Sequence, residues 1–303
     1  MVVENNTTIE YAMKRKQLLP TFGLAMALIL SLPAPRALAV VGYVVLTLGG
    51  NRYHLIENPL SNPPDTLNAG FGEASIGSRV WIWDVTNQVF VGPSTYLGAA
   101  GWSVNYSIPV GKGFMFHSPA ETEIAFVGEV LPGWQTNFVA GTNRLSLLGA
   151  MIPQAGGLSS VLEFQPRDGG VVYQFSSGAQ RYLDARTYFS GFGWFTNEPN
   201  LVVAEAFFVQ HPGPDTNWVR NIIIRRPAGR ASPTATKSLP EIENCSIRGG
   251  KVTLKVNRAI QYYDVQFSPD GQTWTNLAVN QKARIWSGPL PKSPTGYFQV
   301  LPP

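Results

Sequence analysis

His54, His117 and His211 are the side chains best suited to metal or acid–base work in this sequence. His117 in "FHSP" and His211 in "QHPG" each sit beside a proline turn, so a paired metal site is the sharpest chemistry they offer. The spacing argues for polar strand ends instead. No H-x-x-x-H, H-E-x-x-H or C-x-x-C pattern occurs. Glu121 and Glu123 in "AETEIAF" alternate along a strand and are expected to face solvent, and Asp168 in "PRDGG" reads as a turn former. Glycoside hydrolysis would need two converging carboxylates, and none can be assembled from spacing alone. There is no G-x-S-x-G elbow and no glycine-rich phosphate loop between a strand and a helix. Cys245 in "EIENCSIRGG" is the single cysteine, so an internal disulfide is impossible, and it reads as a small buried strand residue. No catalytic residue, metal ligand or cofactor is expected.

The aromatic residues carry a stronger signal. "TYLGAAGWS" (95–103) returns as "TYFSGFGWF" (187–195). Tyr96, Trp102, Tyr188 and Trp194 are suited to stacking on sugar rings, which favour exposed Tyr and Trp. Two copies of one β-unit would also each need these rings in their own core, and that is the expected role. Phe192 has no aromatic counterpart in the first phrase. It joins the candidate ligand-stacking residues and is expected at a loop tip, where it would touch something outside its own unit.

The repetition extends far beyond the phrase. At an offset of 92, Asn51-Arg52 meets Asn143-Arg144, Leu55 meets Leu147, Val80 meets Val172 and Gln88 meets Gln180. After one inserted residue, Phe114 meets Phe207 and Pro119 meets Pro212. A period of about ninety residues is too long for a solenoid and suits a small β-domain used twice. "RVWIWDVTNQVFV" and its copy "VVYQFSSGAQRYL" alternate as strands around hairpin turns, with Trp81/Trp83 and Tyr173/Phe175 expected on the core face.

Composition agrees. Charged residues are 14% of the 303, while Gly (30) and Pro (24) are abundant, which favours turn-rich β-structure over helices. Met13–Ala39 has the form of a signal peptide: basic Lys14, Arg15 and Lys16, an apolar stretch from Leu18 to Leu32, and Ala37-Leu38-Ala39 as the cleavage site. Met13 is then a candidate true start. Pro20 and Pro33 break the apolar stretch, so no transmembrane anchor is expected after cleavage. Without residues 1–39, residues 40–219 hold 7 basic and 13 acidic residues, net −6, and residues 220–303 hold 12 and 4, net +8. An acidic body and a basic tail bear on partners rather than fold.

Residues 227–240, rich in Pro, Ala, Ser and Thr, read as a linker. Beyond it, "YYDVQFSPDGQTWTNL" resembles the central hairpin of short fibronectin type III-like or immunoglobulin-like modules at the ends of secreted bacterial proteins. The paired units, through "RYHLIENPLS", "VWIWD" and "GKGFMFHSP", resemble an uncharacterised family of secreted bacterial proteins with a duplicated β-domain. The resemblance implies architecture and brings no catalytic residues.

The expected protein is therefore all-β. It comprises a signal helix (1–39), two β-sandwich-like units (40–131 and 132–226) that fold separately or merge into one pseudo-symmetric domain, the linker, and a small C-terminal sandwich (241–303). Its expected role is structural or adhesive, outside the cytoplasm: periplasmic, at the cell surface or in the matrix. Carbohydrate binding is the second reading and a secreted hydrolase the third. Arg225, Arg226, Arg230, Arg248, Lys251, Lys255 and Arg258 form a candidate patch for an anionic partner. That partner would be an envelope or extracellular polysaccharide, or the acidic body of another copy, and not nucleic acid.

Overall fold

The period of two that runs through the sequence becomes strand after strand in the computed structural model, which describes residues 40–70, 74–223, 240–257 and 262–301. The signal segment, and the linker up to residue 239, lie outside the described residues. The first repeat forms β1 (Val41–Leu48), β2 (Arg52–Glu57), β3 (Arg79–Asp84), β4 (Val89–Thr95), β5 (Gly113–Ser118) and β6 (Thr122–Glu129). The second forms β7 (Gly133–Val139), β8 (Leu145–Leu148), β9 (Gly156–Gly157), β10 (Val171–Ser176), β11 (Arg181–Tyr182), β12 (Arg186–Phe189), β13 (Gly193–Trp194), β14 (Asn200–Leu201), β15 (Phe207–Gln210) and β16 (Thr216–Ile222). The C-terminal module forms β17 (Ile242–Arg248), β18 (Lys251–Val256), β19 (Tyr263–Ser268), β20 (Thr275–Gln281), β21 (Ile285–Pro289) and β22 (Thr295–Leu301). Among the described residues, helix is confined to Leu67–Gly70 and a 3-10 turn at Gly98–Ala100. The protein is all-β, with antiparallel sheets throughout.

The two repeats share one topology. Each builds a sheet in the order β2-β5-β3-β4 or β8-β15-β10-β12, and each pairs its first and last strands as a ribbon, β1 with β6 and β7 with β16. Alternate side chains then fill successive cores. Leu148, Val172, Phe207 and Val209 pack under the β7–β16 ribbon with Val139 and Trp218. Leu55, Trp83, Leu147 and Phe208 pack between the two larger sheets. Val80, Phe114 and Phe116 pack under β1–β6 with Val44, Ile124 and Phe126. The result is a stack of β-layers that share cores.

This stacking corrects one expectation. The alternation puts the core on the Trp81/Trp83 face, whereas Val80 and Val172 are fully buried inside their own repeats. Trp83 packs between repeats, edge-on to Phe208 at 4.8 Å. Period-two alternation shows which side chains share a face. It does not show that a layer lies on both sides.

The repeats are related by an approximate twofold. Gln88 in the first turn exchanges hydrogen bonds with the backbone of Leu145: its Nε2 donates to Leu145 O at 3.1 Å, and Leu145 N donates to its Oε1 at 2.8 Å. Gln180 does the same to Tyr53, at 3.0 and 2.9 Å. Gln88 aligns with Gln180, and Tyr53 with Leu145, so the two clamps are mates. The bridges Ile56–Glu205 and Lys112–Leu148 are mates as well. Replacing Gln88 by alanine strands part-buried backbone groups of Leu145, at an expected cost of about 1–2 kcal/mol in urea denaturation, and Gln180→Ala, whose bonds to Tyr53 are exposed to water, should cost less. Unchanged unfolding midpoints would remove the clamps from the account.

The C-terminal module adds to the first repeat. β22 pairs with β1 from Val41–Phe298 to Val44–Thr295, giving one five-stranded sheet, β20-β19-β22-β1-β6. β1 is thus buried on both faces. Val44 and Leu48 face the first repeat, while Val41 and Tyr43 join Tyr263, Val265, Phe267 and Phe298 beneath the β17-β18-β21 sheet. No helix among the described residues is long and apolar enough to cross a membrane.

Candidate functional site

The duplicated phrase folds alike in both copies. Tyr96 bridges Trp102, with ring centroids 5.4 Å apart and planes 51° apart. Tyr188 pairs with Trp194 at 5.4 Å and 73°. Gly101 has φ 74°, and a Cβ there would meet Asn68 Oδ1 at 2.6 Å. That oxygen accepts the Trp102 N–H at 3.0 Å, so only glycine lets the loop close on it. Trp102 is 5% exposed and sits in the first repeat's core. Trp194 is half-buried against the second repeat's core and donates its indole N–H to Ser159 Oγ at 3.0 Å. Neither pair is coplanar. Tyr96 and Tyr188 are half-buried.

Phe192 is 94% exposed, with Phe189 and Phe195 exposed beside it. Asp168 pins this tip by accepting the Ser190 N–H at 2.7 Å, so the "PRDGG" turn buttresses the aromatic loop.

The structure brings two separate candidates together. Tyr96, Gly98, Ala99 and Gly101 of the first repeat line a groove of about 770 Å³ with Ile247, Arg248, Gly249 and Gly250 of the module. Glu123 of β6 and Asn68 complete its polar wall. Arg248 and Glu123 are exposed, so both charged head groups are available. Lys251 lies opposite Arg248 in the β17–β18 register. Lys255 is spent within the module: its Nζ is 3.1 Å from Glu243, which also holds Arg284 at 3.0 Å. Arg225, Arg226, Arg230 and Arg258 lie outside the described residues. Among the described residues no strand of the module pairs with the second repeat's ribbon.

A second concavity was not read from the sequence. Tyr53, Trp81, Phe90, Met115, Phe175 and Gln180 line an open, mostly apolar cleft of about 380 Å³ at the seam between repeats. At the pseudo-twofold position the aligned counterparts of Met115 and Phe175 are Phe208 and Trp83, both buried. The size mismatch between aligned residues was the available signal.

The other candidates have structural surroundings. His117 packs on Tyr53 at 4.9 Å, His54 Nε2 lies 3.1 Å from Gly49 O, and His211 is buried. Among the described residues no three His, Cys, Asp or Glu side chains converge as a metal site would require. Cys245 is half-buried in β17, and burial pushes its thiol up to about 12, so it stays protonated and a poor nucleophile. The most perturbed carboxyl is Glu57, fully buried at the seam and pushed up to about 8 by burial.

No family model matches this sequence, and no curated protein matches it. What the site can do follows from its own chemistry. A half-buried tyrosine ring, an exposed arginine and carboxylate, and glycine-rich backbone on two sides make a groove fitted to hydroxyl-rich or anionic chains.

Proposed function

We propose that this chain is a secreted, non-enzymatic structural or adhesive protein of the cell surface or extracellular matrix, and that it holds polysaccharide in the groove between the first repeat and the C-terminal module. The observation that carries this reading is the meeting of Tyr96, Glu123 and Arg248 at one groove of about 770 Å³. The tyrosine supplies an apolar face for a sugar ring, and Arg248 supplies paired donors for a uronate carboxylate or a sulfate. Binding requires no turnover, which suits a site whose polar groups are exposed and whose walls are backbone.

Affinity electrophoresis against neutral and uronic-acid polysaccharides tests the reading. Retardation is expected with the uronic polymers. Tyr96→Ala and Arg248→Ala should each weaken it roughly tenfold or more, with the fold of each variant checked by circular dichroism. Equal migration of wild type and both variants in every polymer would refute the assignment.

A further inference from the structure

The approximate twofold sets the outer face of the β7–β16 ribbon against that of β1–β6. On β1–β6 the outward residues Val41, Tyr43, Val45 and Val127 lie beneath the C-terminal module, and β22 extends the free edge of β1. The ladders superpose when the inward pair Val44–Phe126 is matched to Asn137–Trp218. Trp134, Thr136, Phe138 and Val219 then stand where Val41, Tyr43, Val45 and Val127 stand. These residues are uncovered: Trp134 is 73% exposed, Phe138 49% and Val219 45%. Among the described residues β7 pairs with β16 alone, so its other edge is open.

Nothing along this edge resists pairing. From Gly133 to Asn143 there is no charge and no proline, the usual guards of an exposed edge strand. The outward residues of β16, Asn217, Val219 and Asn221, are also uncharged. On a body carrying net −6 over residues 40–219, a neutral face is where two identical copies meet without like-charge repulsion. Among the described residues there are two such ribbons and one module, and the β7–β16 ribbon is the one left bare.

We propose that this bare ribbon is a self-association surface, with the β7 edge pairing antiparallel to β7 of a second copy about a twofold at Thr136. In that register Trp134 of each copy faces Phe138 of the other, giving two aromatic cross-strand pairs on one face. The contact is isologous and closes at the dimer. This inference is independent of polysaccharide binding, which uses the opposite repeat.

Sedimentation velocity on the full chain tests it, with Thr136→Glu, Thr136→Lys and their equimolar mixture. Wild type is expected to dimerise at micromolar concentrations and to stay dimeric as salt rises, because the face is neutral. Each single variant places like charges opposite one another and should sediment as a monomer, with the fold checked by circular dichroism. The mixture should recover dimers at low salt. A wild type that stays monomeric well above micromolar concentration overturns the proposal, as do single variants that still dimerise. A mixture that stays monomeric overturns the Thr136 register. Association that dissolves in high salt overturns the neutral face in favour of contact between the acidic body and the basic module.

Discussion

Replacing Tyr43 by alanine should destabilise the C-terminal module and the first repeat together, by about 3–5 kcal/mol. Tyr43 is fully buried although it lies in the third residue of the first strand. Its ring clusters with Phe298, at 5.6 Å, and Phe267, at 6.4 Å, which themselves lie 5.5 Å apart, and its hydroxyl donates to Ser293 O at 3.0 Å. Truncation to alanine leaves a cavity in the module's core and loosens the strand that β22 and β6 both pair with. Calorimetry should therefore show one transition moved down as a unit. Tyr43→Phe, which keeps the ring and loses one hydrogen bond, should cost only about 1 kcal/mol. A melt in two steps with only one displaced would mean that β1 does not couple the two parts.

Stability should fall as pH rises from about 4.5 to about 8, and Glu57 should be the main cause. Its carboxyl is enclosed at the seam, where Oε2 accepts the Met151 N–H at 3.4 Å. Gly149, its own counterpart in the second repeat, lies against it, and a Cβ there would be 2.1 Å from Oε2. The neighbouring cation, Arg220, is itself buried and is occupied by Ala150 O at 3.0 Å and Gln154 Oε1 at 2.8 Å. Desolvation raises the folded-state pKa to about 8, while backbone hydrogen bonds and Arg220 pull the other way. The sign follows from linkage. The folded state keeps a proton that the unfolded chain has already released, so the stabilisation is complete below the unfolded value and is lost through the folded one. Glu57→Gln removes the slope. At pH 9 the variant should exceed wild type by up to about 5 kcal/mol, the full shift being an upper limit because Arg220 offsets part of the ionised form's cost. At pH 5 the two should match within about 1 kcal/mol. Parallel stability curves across that range would exclude Glu57 as the titrating group.

The duplication was legible because the residues that match are of two kinds, buried core residues such as Val80 and Val172 and residues whose backbones are special. Asn51 and Asn143, and Gln88 and Gln180, hold positive φ in both copies, as do Gly101 and Gly193. Turn geometry of this kind restricts residue choice locally, so it survives in the sequence. The glutamines also clamp the opposite repeat, a role with no local trace. The junction of β1 with β22 is another matter. Its partners lie more than two hundred residues apart, and their register leaves no short-range pattern. One sign was present: "VGYVVLTL" is apolar without alternation, as in a strand covered on both faces, whereas "GWQTNFV" carries three consecutive polar residues, Gln135, Thr136 and Asn137, at its centre. The groove inherits this difficulty. Tyr96 and Arg248 were each singled out, but only the β1–β22 pairing brings them to the same place.

The twofold between the repeats has a further consequence. Only Val130, Leu131 and Pro132 separate β6 from β7, so the two halves of the seam arrive on one short tether. Tethers this short hold their ends at an effective concentration in the millimolar range. A seam of merely micromolar intrinsic strength would fall apart between free chains under dilution. On one chain it would stay closed about a thousandfold over open, whatever the dilution. The aligned positions are consequently free to diverge, and they have done so: Glu57 faces Gly149 and Met115 mirrors Phe208, substitutions that a dimer of identical halves would have to accept twice.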